Sequence, residues 1–228
     1  MGVIYLVRHG QADPNAYGIS DASEPAPNGP GGLTDTGTIQ ARLTGTLLAS
    51  LTDRVSAAIS GDLPRQTQTL ARVLGQFTDA PEPIVDPGWN EYELPALVGS
   101  ATTEEYRDGR AYQRRLDEGL LEWVEGGGEH GAGETFVGFA HRVSDAAARA
   151  QALAGSGQTV VAVSSAGTIT RWIADLLGVP PERWPAMSRT MVNASVSKLI
   201  VGRRGVSVVS FNEHAHLADR DGGISTYR

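Results

Sequence analysis

Tyr5-Leu6-Val7-Arg8-His9-Gly10 is the stretch whose reading decides the fold. Val3 to Val7 is a short, unbroken apolar run, the pattern of a strand buried on both faces. It stops at a cation, an imidazole and a glycine. Polar groups gathered at the end of a buried parallel strand mark the place where open α/β sheets put their sites. His9 offers a nucleophile, a base or a ligand. Arg8 forks onto phosphate or carboxylate oxygens. Gly10 lets the chain turn and lets an anion approach the backbone.

Working outward, Gln11 to Gly32 is a long loop rich in Pro and Gly, a kind of segment that is often functional. Thr34 caps a helix running to about Leu51, with Ile39, Leu43 and Leu47 expected on its inner face. Val55 to Ile59 reads as a second buried strand. Pro64 then sits in the first turn of a helix that turns Leu70, Val73, Leu74 and Phe77 inward. Pro83 to Val85 is a short third strand. A helical stretch from about Thr102 to Val124 sets Tyr112, Leu116, Leu120 and Trp123 on one face. Arg107, Arg110 and Arg114 lie opposite and read as the solvated face. Gly126-Gly127-Gly128 is a hinge or tight loop. Glu134 to about Ala154 is an Ala-rich helix. Thr159 to Val163 is a strand, followed by a helix from about Thr168 to Leu177. Val192 to Val201 and Val206 to Phe211 form strands joined by the turn Gly202-Arg203-Arg204-Gly205. Alternating strands and helices predict an α/β three-layer sandwich: a mostly parallel sheet, helices on both faces, and an antiparallel edge hairpin.

The 228 residues suffice for one large domain spanning 1–228, and 40% hydrophobic content supports a full core. A net charge of -7, without a long block of one sign, argues against a nucleic-acid partner. The absence of cysteine excludes disulfides, thiolate chemistry and Cys-ligated zinc. The N-terminal stretch is too short and polar for a signal peptide, and no run approaches the length of a membrane span. A soluble, cytoplasmic protein is the expectation. The last strands offer an edge through which a homodimer would pair.

Three strand ends carry polar groups. The first offers Arg8 and His9. The second leads to Arg65, one turn into its helix. The third carries Ser164 and Ser165 into a helix start, where the N–H groups of Ala166, Gly167 and Thr168 can meet an anion. Two arginines and a helix N-terminus make a phosphate-sized pocket, and an imidazole within it suits phosphoryl transfer.

These residues resemble the histidine phosphatase superfamily, which includes the cofactor-dependent phosphoglycerate mutases and related phosphatases. Arg8-His9-Gly10 matches its signature, and Asn15 stands at the spacing of its substrate-contacting asparagine. Leu33-Thr34-Asp35-Thr36-Gly37 with Gln40-Ala41 resembles its first helix opening. Ser60-Gly61-Asp62-Leu63-Pro64-Arg65-Gln66-Thr67-Gln68-Thr69 resembles the segment bearing its second phosphate-binding arginine. Asn90-Glu91 resembles the position of its acidic proton donor, for which Glu93 competes. Phe211 to Leu217 resembles the close of its phosphatase branch. The resemblance implies a phosphoglycerate mutase-like fold and a metal-independent phosphomonoesterase acting on a small phosphorylated substrate without a cofactor. His9 would form the phosphohistidine, Glu91 would move the proton, and Arg8, Asn15, Arg65, Ser165 and Ala166 would hold phosphate or substrate.

One departure stands out. The family's second histidine falls at Ser165, which brings a hydroxyl but no charge. Losing one well-placed donor to a developing anion typically costs about 3–4 kcal/mol, so slow turnover is expected. His141, His214 or His216 would replace it only if the fold brought one near. Hydrolysis is expected ahead of mutase activity. The first alternative is a degenerate phosphatase that binds a phosphorylated ligand or protein without efficient turnover. A more distant one is a serine esterase: Val163-x-Ser165-x-Gly167 is a degenerate nucleophile elbow, followed by Asp175 and then His214 or His216.

Overall fold

Val3 to Val7 is apolar at every position because both faces of its strand are covered. In the computed structural model, which describes residues 1–19, 27–102, 104–105, 108–126, 133–218 and 223–227, β1 spans Gly2–Arg8. Ile4 and Leu6 enter one hydrophobic core, while Tyr5 and Val7 enter another on the opposite face. This is the period-two alternation of a pleated strand between two helical layers. β2 (Ala57–Ser60), β3 (Pro83–Val85), β4 (Thr159–Ser164), β5 (Val196–Gly202) and β6 (Gly205–Glu213) complete one sheet in the order β3-β2-β4-β1-β5-β6. The β3-β2-β4-β1 half is parallel; β5 and β6 add antiparallel at the other edge. The expected mostly parallel sheet with an antiparallel edge hairpin is the architecture found. Pro83 is tolerated because β3 is an edge strand.

The helices are α1 (Asp35–Leu51), α2 (Pro64–Leu74), a short α3 (Leu94–Val98), α4 (Gly109–Val124), α5 (Phe136–Leu153), α6 (Ala166–Leu177) and a short α7 (Trp184–Arg189). Leu48 of α1 and Leu70 and Val73 of α2 pack on the Tyr5 and Val7 side. Leu120, Phe139, Val143, Ile169 and Ile173 pack on the Ile4 and Leu6 side. Among the described residues, no helix is long and apolar enough to cross a membrane.

The inner face of α1 differs from expectation. Ile39 and Leu43 are exposed; the buried face is Gly37, Gln40, Ala41, Thr44, Gly45 and Leu48. Close approach rather than bulk decides it. A Cβ on Gly45 would lie 2.7 Å from the Val73 carbonyl oxygen, and one on Gly37 would lie 2.0 Å from the Gln11 carbonyl oxygen.

Several element ends also move. The regular part of α4 begins at Gly109, because the Asp108 carboxylate accepts from the Ala111 N–H at 3.1 Å. α6 starts at Ala166, directly after Ser165. β5 starts at Val196, because Asn193 and Ala194 turn away. Ala194 has φ 57°, and its N–H reaches the His9 carbonyl at 3.1 Å. Arg110 and Arg114 are exposed, as a solvated face requires. Arg107 and most of the expected glycine hinge at Gly126-Gly127-Gly128 lie outside the described residues.

Candidate active site

Arg8 and Ser164 are register partners at the ends of β1 and β4, and the His9 N–H donates to the Ser164 carbonyl at 2.8 Å. β2 ends beside them at Ser60 and delivers the start of α2. Parallel strands therefore bring their carboxyl ends to one crevice. It is a cavity of about 560 Å³ lined by Arg8, His9, Asn15, Arg65, Glu91, Ser165 and Ala166, together with groups from α4 and the loops. All seven candidate site residues from the sequence line this one cavity.

His9 is 2% exposed. Its Nδ1 lies 2.7 Å from the Gly10 carbonyl oxygen. A carbonyl only accepts, so the neutral ring carries its proton on Nδ1, leaving the Nε2 lone pair as the nucleophilic atom. Burial, then the charges of Arg65 and Arg8, hold the His9 pKa well below the ordinary histidine value. The backbone around it is pinned as well. Its carbonyl accepts from the Ala194 N–H and from Asn193 Nδ2 at 3.2 Å.

Arg8 and Arg65 are 5% and 8% exposed, so Arg65 is no surface arginine. Arg8 Nη1 donates to the carbonyls of Met191 and Tyr227. The Nε atoms of both arginines are buried with no partner in the protein. Buried guanidinium donors are rarely left unpaired, and an anion's oxygens would satisfy them.

Gly10 has a different role from the one expected. Its N–H donates to Thr69 Oγ1 at 3.0 Å, and a Cβ there would lie 2.4 Å from the Gly37 carbonyl oxygen. It is small because α1 lies against it, and its N–H is not aimed at an anion. The α6 start is likewise used internally. Glu91 Oε2 accepts from the Gly167 N–H at 2.8 Å, and Thr168 Oγ1 donates to Glu91 Oε1 at 3.3 Å. The carboxylate sits where an anion was expected, which favours negative charge at a helix N-terminus. Gly167 permits the approach: a Cβ there would meet Glu91 Oε1 at 2.5 Å. Burial raises the Glu91 pKa above the ordinary carboxylate value; the Gly167 N–H and Arg65 pull against it. Glu93 also lines the cavity but is exposed.

Ser165 is 1% exposed, and its Oγ accepts from Gln66 Nε2 at 3.0 Å. Among the described residues, no histidine takes the place of the missing one. His141 is exposed on α5. His214 Nδ1 is 2.7 Å from the Asn212 carbonyl oxygen, and His216 Nε2 is 2.9 Å from Thr44 Oγ1. Neither lines the cavity. Asp175 pairs with Arg171, so the serine-esterase grouping around Ser165 does not assemble.

Several positioning groups gave no sequence signal. Arg142 Nη1 donates to the Gly88 and Asn90 carbonyls at 3.0 and 2.8 Å while its other edge grips Glu134, clamping the segment that carries Glu91. Tyr92 packs its ring against Trp123, Phe139 and Trp184. Gln66 Nε2 also reaches the Trp89 carbonyl at 3.1 Å. Gln66 lay inside a quoted motif, yet only the fold reveals what it touches. Among the described residues, no cluster of three or more His, Asp or Glu could hold a metal.

A family model for the histidine phosphatase superfamily (branch 1) matches residues 4–214. The chain belongs to the histidine phosphatase superfamily. Its fold recurs in solved structures of little sequence identity. Bacillus stearothermophilus YhfR has a TM-score of 0.70 at 20% identity, covering 94% of this chain and 98% of its own. A mycobacterial glucosyl-3-phosphoglycerate phosphatase complexed with VO3 has a TM-score of 0.66 at 23% identity, covering 94% and 100%. A mutant phosphoserine phosphatase from Entamoeba histolytica in complex with phosphoserine has a TM-score of 0.66 at 19% identity, covering 96% and 100%. No curated protein matched the chain in sequence.

Proposed function

We propose that this chain is a phosphatase: a metal-independent phosphomonoesterase that turns over small phosphorylated substrates through a phosphohistidine on His9, as one catalytic domain. One observation carries the reading. A neutral, buried His9 lies within reach of the charges of two buried arginines whose Nε donors have no protein partner. The phosphatase names of the structural neighbours support it.

In this mechanism the Nε2 lone pair of His9 attacks phosphorus as the ester P–O bond breaks. Arg8 and Arg65 bind the equatorial oxygens, where most of the stabilisation lies. Glu91, whose pKa burial raises, gives its proton to the leaving alkoxide. Water then attacks the phosphohistidine and passes a proton to Glu91. The P–N bond breaks, inorganic phosphate leaves, and His9 and Glu91 return to their starting states. The arginines supply the positive charge that a metal would otherwise bring. Ser165, its Oγ already accepting from Gln66, is free to donate its own proton to a phosphate oxygen.

Ser165 also motivates a second reading, a phosphate-binding protein that does not turn over. Wild type and His9→Ala are incubated with a chromogenic phosphomonoester from about pH 4 to about pH 8, with and without chelator. The expected result is chelator-insensitive phosphate release that falls by about a thousandfold or more in the variant. No release by either, with inorganic phosphate raising the wild-type Tm, would replace the enzyme reading with the binding one.

A further inference from the structure

The cavity is far larger than the phosphate end needs. At about 560 Å³ it falls among pockets that enclose a whole small molecule. Arg8, His9, Arg65 and Ser165 come from the strand ends and the first turn of α2. Much of the remaining wall is apolar or aromatic: Tyr17, Leu94, Tyr112, Leu116, Leu120 and Pro185. Three of these are the inner face of α4, placed one helical turn apart or nearly so. Among the described residues, the charged groups on that wall do not supply an unpaired cation. Arg189 Nη1 is bound to Asp117 Oδ2 at 2.6 Å, and the other Asp117 oxygen accepts from Gln113 Nε2 at 2.8 Å. Glu93, also on the wall, is an anion.

We infer that the alcohol portion of the substrate is a bulky, uncharged apolar or aromatic group, seated between α4 and the segments bearing Tyr17 and Leu94. The assignment rests on the phosphomonoesterase reading. The apolar wall is continuous with the phosphate site, so an ester anchored at Arg8 and Arg65 has this wall as the surface its alcohol must meet. An apolar alcohol releases water from it. A second carboxylate or phosphate would be desolvated beside Glu93, with every described wall cation away from the strand ends already paired. Binding energy gathered this far from phosphorus also serves to orient the ester for in-line attack.

The test compares primary alkyl esters, whose leaving groups are all alkoxides: 3-phenylpropyl phosphate, ethyl phosphate and 3-phosphoglycerate. The expected kcat/KM for 3-phenylpropyl phosphate exceeds that for ethyl phosphate by about a hundredfold, and 3-phosphoglycerate falls at or below ethyl phosphate. Leu116→Asp lowers the phenylpropyl-to-ethyl ratio by about tenfold or more. A ratio is unaffected by the fraction of variant that folds. Binding of 3-phenylpropylphosphonate against ethylphosphonate, measured by calorimetry, gives the same comparison without turnover. Equal kcat/KM for the two alkyl esters, or a preference for 3-phosphoglycerate, with His9-dependent turnover intact, overturns the apolar assignment alone. Absence of His9-dependent turnover overturns the phosphatase reading, and the phosphonate comparison then decides the cavity: equal affinities overturn the apolar assignment there too.

Discussion

Glu91 is pulled in two directions. Burial raises its pKa, while the Gly167 N–H, Arg65, the Tyr92 N–H and Arg8 favour its charged form, and burial wins. A carboxyl with a raised folded pKa adds stability that is complete below its unfolded value and is lost as pH rises through the folded one. In the proposed mechanism the same titration removes the proton the leaving group needs. Glu91→Gln is therefore expected to lower kcat by about a hundredfold or more and to erase the alkaline limb of the pH–rate profile. It should also raise Tm at mildly alkaline pH, with a smaller gain at acid pH where the wild-type carboxyl is already neutral. Profiles and thermal melts of both proteins check this. A Tm lower than wild type at alkaline pH would show that the carboxylate's bonds to Gly167 and Thr168 outweigh its burial. In the same mechanism the acid limb is expected to belong to His9, whose lowered pKa keeps the ring neutral below the ordinary histidine range. At this scale a strand end or a motif was enough to place Arg8, His9 and Arg65 at one cavity. Neither reveals what Gln66 and Arg142 touch. Their partners are a hydroxyl and carbonyls contributed by distant segments, and no spacing encodes those.

Elements were legible wherever hydrophobic periodicity reports burial, as in β1, β4 and α2. α1 misled because its buried face is made of Gly37, Ala41, Thr44 and Gly45. A helix that packs through small residues carries little apolar signal, so its exposed Ile39 and Leu43 dominated the pattern. Gly45 makes the consequence measurable. Alanine improves helix propensity by about 1 kcal/mol over glycine. Here its Cβ would lie 2.7 Å from the Val73 carbonyl oxygen and 2.9 Å from the Val73 Cα, backbone atoms of α2 that move only if the helix moves. Overpacking of this kind costs about 1–3 kcal/mol. Gly45→Ala is expected to lower Tm despite the better propensity. Because α2 carries Arg65, kcat/KM should fall with it. A rise in Tm would mean that the two helices separate without strain.

Over the whole molecule, the sheet brings three strand ends together and the C-terminal segment closes beside them. No periodicity or motif marked that segment, because it is held by single polar contacts rather than by a packed face. Gln40 Nε2 donates to the Ile224 carbonyl at 2.6 Å and to Thr226 Oγ1 at 3.0 Å. The Asn193 N–H donates to the Thr226 carbonyl at 2.8 Å, and Thr226 Oγ1 returns a bond to Asn193 Oδ1 at 3.0 Å. Asn193 in turn holds the His9 carbonyl, and the Tyr227 carbonyl accepts from Arg8 Nη1 at 2.9 Å. One short strap thus touches Arg8 directly and the His9 carbonyl through Asn193. Ile224 is only partly buried against Val192, Ala194 and Leu217, so the strap contributes modestly to stability. Its larger contribution is to fix the guanidinium with Nη1 occupied and Nε without a protein partner, the arrangement the proposed phosphate binding needs. Removing residues 223–228 is expected to cost about 1–2 kcal/mol in stability and about tenfold in kcat/KM. Thr226→Ala should reproduce part of the kinetic loss with a smaller change in Tm. Steady-state kinetics and thermal unfolding on the two variants decide the point. Unchanged kcat/KM in the truncated protein would mean that the Met191 carbonyl alone holds Arg8 in place.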